Sequence, residues 1–288
     1  RAWWGLGKND EHSYATPAFY QGRRTFETMM QHMDWVEKAE QTAERFANGK
    51  LKMENVKWFE EAHQRAHSQA PVLCSGVHAR TLENRYYRVK EESGLITSIY
   101  DKELGRELLN APANDLLYTR DFHKTWEKDA AAALGAEVVR SVRLDPDEKR
   151  IWVEIEIRHA KNLRCRSHER YRRYGYLAFP FDVPGGTFYA QINGPVMRPY
   201  LDLTGHTSDA YVGARDWVGV ENGEFGVALI QRDTLLAEFG EIHPDKTCYT
   251  GKLPAGKSAI YPCLFNDWLV EHRPDGESFN LRYRYAIT

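Results

Sequence analysis

Asp10, Glu11 and His12 lie side by side near the start of the chain, in the string Asp10-Glu11-His12-Ser13-Tyr14. An imidazole and a carboxylate are both accepted as ligands by Zn²⁺, but a zinc site needs three or four ligands in tetrahedral geometry. The string therefore supplies only part of a metal site. Its alternative interpretation is a polar loop in which the neighbouring carboxylates hydrogen-bond the histidine.

A second set of candidate residues is basic and aromatic. Such side chains can stack on sugars or hold an anion. The cluster comprises Arg164, Arg166, Arg170, Arg172, Arg173, Tyr171, Tyr174 and Tyr176. Acidic residues neighbour these basic side chains, and this mixture of charges favours a solvated loop that enters a strand.

Three tryptophans and one arginine complete the candidates. Trp126, Trp217 and Trp268 could form a sugar platform, although tryptophan in a β-sandwich more often packs in the core or at its rim. Arg198 lies in the turn-rich stretch 193–200. This stretch is predicted to be a structural loop, and it could also present Arg198 to a substrate.

The composition is that of a soluble globular protein. The chain has 288 residues, of which 42% are hydrophobic and 28% charged, and its formal net charge is -2. No apolar run is long enough to span a bilayer. The small net charge gives no overall field for nucleic acid or anionic lipid, so neither nucleic acid nor membrane is an expected partner.

The cysteines indicate the cellular compartment of the protein, and the first residues indicate how the chain originated. The four cysteines, at 74, 165, 248 and 263, show no CxxC spacing, which favours buried thiols in a reducing, cytoplasmic compartment. The chain opens Arg1-Ala2-Trp3-Trp4, without a methionine or a signal-peptide pattern. We interpret it as a piece of a longer polypeptide.

Helical periodicity is confined to the first quarter of the chain. Apolar residues recur three, four or seven apart between Pro17 and Ala47, and a second periodic segment runs from about Glu54 to Gln69. Asn48-Gly49 suits the end of the first helix. We predict a loop at 1–16, a helical segment at 17–76 that forms an antiparallel hairpin, and a β domain at 77–288.

Beyond residue 77 the pattern changes to short strands with turn residues between them. Alternating polarity predicts strands at 85–89, 95–100, 151–157 and 281–285. Turns are predicted at Ser93-Gly94, 184–186, 221–223 and Asp275-Gly276. A run of antiparallel hairpins without regular helices between them predicts a mainly β protein with a large antiparallel β-sandwich.

Several strings in this region resemble the C-terminal β domain of family-38 glycoside hydrolases, the α-mannosidase family. In chain order they are LENRYYRV at 82–89, GLITSIYDKELGREL at 94–108, LAFPFDV at 177–183, WVGVENGEFGVAL at 217–229, PCLFNDW at 262–268 and FNLRYRY at 279–285. The order is collinear from about residue 80 to the end. The resemblance implies a super-sandwich of the galactose-mutarotase-like type.

The resemblance also implies functional residues and a missing partner. Asp10-Glu11-His12-Ser13-Tyr14 is similar to the element that ends the family's catalytic region and supplies a histidine to its zinc, which implies His12, and less directly Asp10, as ligands. The family's nucleophile and its early His-x-Asp pair belong to an upstream catalytic domain that this chain does not contain. His32-Met33-Asp34 and His243-Pro244-Asp245 are interpreted as surface polar residues.

Three functional hypotheses remain at this point. In the first, the chain is the C-terminal region of a zinc-dependent retaining α-mannosidase-like hydrolase, supports the catalytic domain of the same polypeptide, binds a mannose-containing saccharide through residues such as Arg198, and is inactive alone. In the second, it is a non-catalytic carbohydrate-binding β-sandwich. In the third, two carboxylates inside the sandwich converge on a concave face and form an independent glycosidase site.

Overall fold

The computed structural model of the chain describes residues 79–119, 126–161, 173–192, 195–203, 211–243, 256–266 and 278–288. The predicted loop at 1–16, the helical hairpin at 17–76 and the Asp275-Gly276 turn lie outside these residues. The chain divides into two compact units, residues 1–52 with 195–197, and residues 53–194 with 198–288. The predicted domain boundary at 76/77 stays a prediction.

Strands dominate the described residues. They are β1 (Ala79–Glu83), β2 (Tyr87–Glu92), β3 (Leu95–Asp101), β4 (Arg106–Glu107), β5 (Asp115–Thr119), β6 (Glu137–Leu144), β7 (Ile151–Ala160), β8 (Tyr174–Phe181), β9 (Thr187–Gln191), β10 (Val196–Met197), β11 (Val212–Gly213), β12 (Trp217–Glu221), β13 (Gly226–Gln231), β14 (Leu236–Phe239), β15 (Ser258–Asn266) and β16 (Phe279–Ile287). The described residues include one short helix, α1 (Ala130–Leu134), which begins at the N-cap Asp129 and ends at Gly135. None of the helical residues described forms a segment long and apolar enough to cross a membrane.

The strands of the second unit form three antiparallel sheets. The small sheet has the order β1-β2-β3-β4, and the five-stranded sheet has the order β11-β14-β15-β8-β5. In the large sheet, the strands of this unit follow the order β9-β12-β13-β16-β7-β6. All pairings between them are antiparallel, as the alternating sequence pattern predicts.

The large sheet and the five-stranded sheet pack face to face. The rings of Phe179 and Tyr285 lie 5.4 Å apart, and those of Phe188 and Phe239 lie 5.2 Å apart. The Tyr283 hydroxyl donates to the Leu264 carbonyl at 2.7 Å, so it satisfies a polar group inside the interface. The predicted fold class, a mainly β protein built on an antiparallel sandwich, is confirmed.

Three of the predicted strands are confirmed, and a fourth begins later than predicted. The strands predicted at 95–100, 151–157 and 281–285 are contained in β3, β7 and β16. The strand predicted at 85–89 begins two residues later, at Tyr87. The Asn84 carboxamide oxygen accepts the backbone N–H groups of Tyr86 (2.9 Å) and Tyr87 (2.7 Å), and this local turn keeps residues 85 and 86 out of the ladder.

Three predicted turns are confirmed. Ser93 (φ 51°) and Gly94 (φ 82°) form the two-residue connection between β2 and β3, and positive φ at both positions matches the twist of a hairpin. The Gly186 N–H bonds the Val183 carbonyl at 3.0 Å between β8 and β9. Between β12 and β13, the Asn222 side chain accepts the N–H of Glu224 at 3.1 Å.

Side chains of the small sheet cover the free edge of the large sheet at β6. Arg80 bonds Glu91 at 2.7 Å and donates to the Val142 carbonyl at 3.0 Å. The Asn84 amide donates to the Asp145 carbonyl at 2.6 Å. These contacts occupy carbonyl groups on an edge that could otherwise pair with another chain.

Candidate functional site

Arg198 lies in a closed loop at 198–203, directly after β10. The N–H groups of Leu201 and Asp202 bond the Arg198 carbonyl at 3.1 and 3.0 Å. The Asp202 carboxylate accepts the Arg198 backbone N–H at 2.7 Å, Nε at 3.1 Å and Nη2 at 2.6 Å. The arginine side chain is 46% exposed and that of Asp202 only 13%, so the loop holds its guanidinium in one orientation at the surface.

Tyr200 anchors this loop in an unusual backbone conformation. Its φ is 71°, in the left-handed region that a bulky residue seldom adopts. Its ring is buried and its hydroxyl donates to the Phe239 carbonyl at 2.8 Å. Such a conformation costs about 1–3 kcal/mol and persists only where the surroundings hold it. The buried hydroxyl contact is one such constraint on the loop.

Tyr189 connects Arg198 to the outer face of the large sheet. Phe188 points inward to Phe239, so Tyr189 and Gln191 of the same strand point outward. Tyr189 interacts electrostatically with Arg198, and its hydroxyl donates to Glu221 Oε1 at 3.0 Å. Within the described part of the chain, Gln191 Oε1 is buried without a hydrogen-bond partner.

The ion pair with Asp202 also changes the pKa of Arg198. Hydrogen bonding to Asp202 raises the pKa of the guanidinium above its usual value, against the opposing effect of burial. The raised pKa keeps the arginine protonated at any physiological pH. The loop therefore presents a guanidinium that stays charged and is held in place by Asp202.

Two carboxylates come together elsewhere on the outer face of the large sheet, at Glu154 and Glu156. Both approach Arg282 Nε, at 2.7 and 3.9 Å, and Glu156 also pairs with Arg158 at 2.6 Å. Both carboxylates are engaged by arginine side chains, whereas one carboxyl of a glycosidase pair must be free to deliver a proton to the substrate. This pair therefore does not match the acid that an independent glycosidase site requires.

A tyrosine cluster occupies the outer face of the five-stranded sheet around Glu238, which is 1% exposed. Glu238 accepts the His243 N–H at 2.9 Å and is hydrogen-bonded to Tyr176. Burial raises the pKa of Tyr176 well above its usual value, so its phenol stays protonated at neutral pH. Tyr174, Cys263 and partly buried Tyr211 and Tyr261 surround this centre.

The structure brings two of the aromatic candidates together and separates another. Trp126 is 36% exposed, and its ring meets that of Tyr176 edge-on at 6.2 Å. Trp217 is buried in β12 of the large sheet, away from this cluster. Residues 162–172, which hold most of the predicted arginine cluster, and Trp268 lie outside the described residues. Tyr174 and Tyr176 belong to the fully buried strand β8.

The predicted zinc ligands, His12 and Asp10, lie outside the described residues. Within the ranges that the structure describes, no group of three or more histidine, cysteine, aspartate or glutamate side chains could hold a metal ion. These described residues alone therefore do not fit a zinc ion.

Sequence reasoning selected Arg198 but missed the residues around it. Asp202 follows Arg198 by four positions, a spacing that could have indicated an ion pair. Tyr189 and Glu221 are far apart in sequence and meet only because β9 pairs with β12. No local signal connects those two residues.

The chain was compared with protein families, curated proteins and solved structures. No protein-family profile and no curated protein matches the chain. The crystal structure of an α-mannosidase from Enterococcus faecalis V583 is similar over 75% of this chain and 30% of that chain, with 13% identity and a TM-score of 0.47. A TPR-domain containing protein from Parabacteroides distasonis is similar over 73% of this chain and 46% of that one, with 13% identity and a TM-score of 0.38. The chain thus spans less than half the length of either, and neither likeness assigns a function to it.

Proposed function

We propose that this chain is the C-terminal region of a retaining α-mannosidase-like glycoside hydrolase, in which it supports the catalytic domain and contacts the substrate. The observation that carries the proposal is the collinear sequence resemblance from residue 80 to the end. In the part of the chain that the structure describes, the strings at 82–89, 94–108, 177–183 and 217–229 contribute to strands from β1 to β13. The strings that carry the resemblance thus fall largely on residues that form strands.

In this proposal the sandwich provides a rigid scaffold and Arg198 provides hydrogen bonds to the saccharide. The nucleophile and the acid/base carboxyl would come from the catalytic domain of the same polypeptide, since retaining hydrolysis needs two carboxyl groups about 5 Å apart across the scissile bond. The proposal includes zinc dependence, with His12 and Asp10 as the zinc ligands that this chain would supply. The 288-residue chain by itself is expected to be inactive.

The first experiment compares this chain with the full-length polypeptide that contains it, on an aryl α-mannoside with added Zn²⁺. We expect turnover by the full-length protein only, because the two catalytic carboxyl groups lie upstream. His12→Ala in the full-length protein is expected to lower both activity and bound zinc, measured by metal analysis. Turnover by the 288-residue chain alone would overturn the proposal.

The alternative is a non-catalytic carbohydrate-binding sandwich. The exposed face of Trp126 beside the tyrosine cluster favours it, because aromatic surfaces next to hydroxyl groups are suited to sugars. Isothermal titration of the isolated chain with mannose oligosaccharides separates the two hypotheses. Binding by the isolated chain that Trp126→Ala abolishes, with an inactive full-length protein, would favour the binding module.

A further inference from the structure

We propose that Asp202 is a specificity-determining residue, which adapts the Arg198 loop to neutral saccharides and disfavours saccharides that carry a phosphate or carboxylate. The inference rests on the proposed function, because it assumes that Arg198 contacts the substrate. It adds a selection on substrate charge that the proposed function does not contain.

Two of the three guanidinium nitrogen atoms of Arg198 are already bonded to Asp202. Nε and Nη2 both bond Asp202, at 3.1 and 2.6 Å. Among the residues that the structure describes, none accepts a hydrogen bond from Nη1, and the side chain is 46% exposed. A ligand would therefore meet a fixed N–H donor whose positive charge is already balanced by a carboxylate.

The local charge disfavours anions. Asp202 cancels the charge of Arg198, and Glu221 adds a second carboxylate at the hydroxyl of Tyr189, the neighbour of Arg198. Arginine sites that bind phosphate use the same planar fork that Asp202 occupies here. A sugar hydroxyl needs only a single donor, so a neutral saccharide can bind without displacing Asp202.

The loop also resists rearrangement towards an anion. To free its fork, Arg198 would have to leave a carboxylate that is largely buried and that accepts hydrogen bonds from both Nε and Nη2. Tyr200 fixes the intervening backbone through its hydroxyl bond to Phe239. Removing Arg198 from Asp202 would leave a buried carboxylate without its partner, which is costly.

The test measures kcat/KM of the full-length polypeptide for an aryl α-mannoside and for its 6-phosphate. The wild type is expected to prefer the neutral substrate. In Asp202→Asn, the preference should shift towards the phosphorylated substrate by about tenfold, because the positive charge of Arg198 is no longer balanced. Glu137→Gln, which removes a 60% exposed carboxylate at the edge strand β6, is the matched control and should leave the ratio unchanged.

A double variant decides whether Asp202 acts through Arg198. In an Arg198→Gln background, Asp202→Asn should no longer shift the ratio by that amount, because there is no guanidinium to release. An equal shift in both backgrounds would overturn the proposal, as would an unchanged ratio in folded Asp202→Asn. If Asp202→Asn does not fold, Arg198→Gln alone still tests the contact, and unchanged kcat/KM for the neutral substrate would refute it.

Failure of the proposed function can be distinguished from failure of this inference. A full-length protein that hydrolyses neither substrate refutes the proposed hydrolase. Isothermal titration of that protein with mannose and mannose 6-phosphate then tests the charge selection by itself. Binding of mannose but not of the phosphate, reversed by Asp202→Asn, would support it, and tighter binding of the phosphate by the wild type or binding of neither sugar would overturn it.

Discussion

Gly175 of β8 illustrates how closely single residues are fitted in the sandwich. A Cβ atom at this position would lie 2.5 Å from Cε1 and 2.9 Å from Cε2 of Phe265. The Phe265 ring is 2% exposed and packs near the ring of Tyr118, with centroids 6.2 Å apart. The ring therefore has little free space into which it could move.

Gly175→Ala is expected to lower the free energy of unfolding by about 1–3 kcal/mol, because the added methyl group overpacks the interior. Urea denaturation followed by circular dichroism measures the change. Gly213→Ala is the matched control, since its Cβ would meet only the Leu235 carbonyl at 4.0 Å, and it should change stability little. Equal stability of wild type and Gly175→Ala would show that Phe265 can relax.

Only part of the candidate site could be predicted from the sequence, and the difference lies in single residues. Arg198 was predicted because turn residues surround it. The strained φ of Tyr200 left no such mark, because tyrosine is not a typical residue at positive φ. Its conformation is imposed by surrounding structure such as the contact with Phe239, a residue 39 positions away.

At the scale of elements, Lys149 joins the small sheet to the β6–β7 connection. Its ammonium lies 2.8 Å from Asp101 Oδ2 and 2.9 Å from Glu103 Oε2. The Asp101 side chain is only 2% exposed, and its other oxygen caps the N–H groups of Glu103 and Leu104 at 2.9 and 3.0 Å. The lysine is therefore the cation that balances a buried carboxylate between two elements.

Lys149→Met is expected to destabilise the protein by about 1–3 kcal/mol, because it leaves the Asp101 carboxylate buried without its cation. Burial lowers the pKa of Lys149, but the bonds to Asp101 and Glu103 outweigh that effect and raise it. The contribution is thus fully present at neutral pH and is lost only as the pH rises through the raised pKa. Thermal unfolding at neutral pH measures it.

A matched control for this prediction is Lys257→Met. Lys257 pairs with Glu241 at 2.6 Å, but both side chains are about half exposed, so this pair should contribute little. If the two lysine variants lose the same stability, burial of Asp101 is not the cause.

At the scale of the whole molecule, stability depends on contacts between the large sheet and the five-stranded sheet. Phe188 of β9 is completely buried and its ring meets Phe239 of β14, on the opposite sheet. Hydrogen bonds between strands hold each sheet together, but they do not hold one sheet against the other. Loss of the Phe188 ring therefore weakens the packing between the two sheets of the sandwich.

Phe188→Ala is expected to lower the free energy of unfolding by about 3–5 kcal/mol, since it removes a buried ring and leaves a cavity between the sheets. Leu235→Ala serves as the control because Leu235 is 69% exposed. Denaturant titration gives both values. A loss below about 1 kcal/mol for Phe188→Ala would indicate that the two sheets repack around the gap.

The sequence alone determined the fold class and the positions of several strands in this protein. Alternating polarity and turn residues are local, and they act through the two-residue period of a strand and the positive φ that certain turns require. For this reason the strands at 95–100, 151–157 and 281–285 and the Ser93-Gly94 turn could be read directly from neighbouring residues.

Tertiary structure decided which distant side chains meet. Tyr189 meets Glu221 across paired strands, Tyr200 meets Phe239, and Trp126 meets Tyr176, although each pair is separated by more than thirty residues. These contacts depend on strand order and register, which local patterns do not specify because many pairings satisfy the same alternation. The buried Tyr200 contact is one of those that hold the Arg198 loop, so the conformation of this loop is decided only in the folded chain.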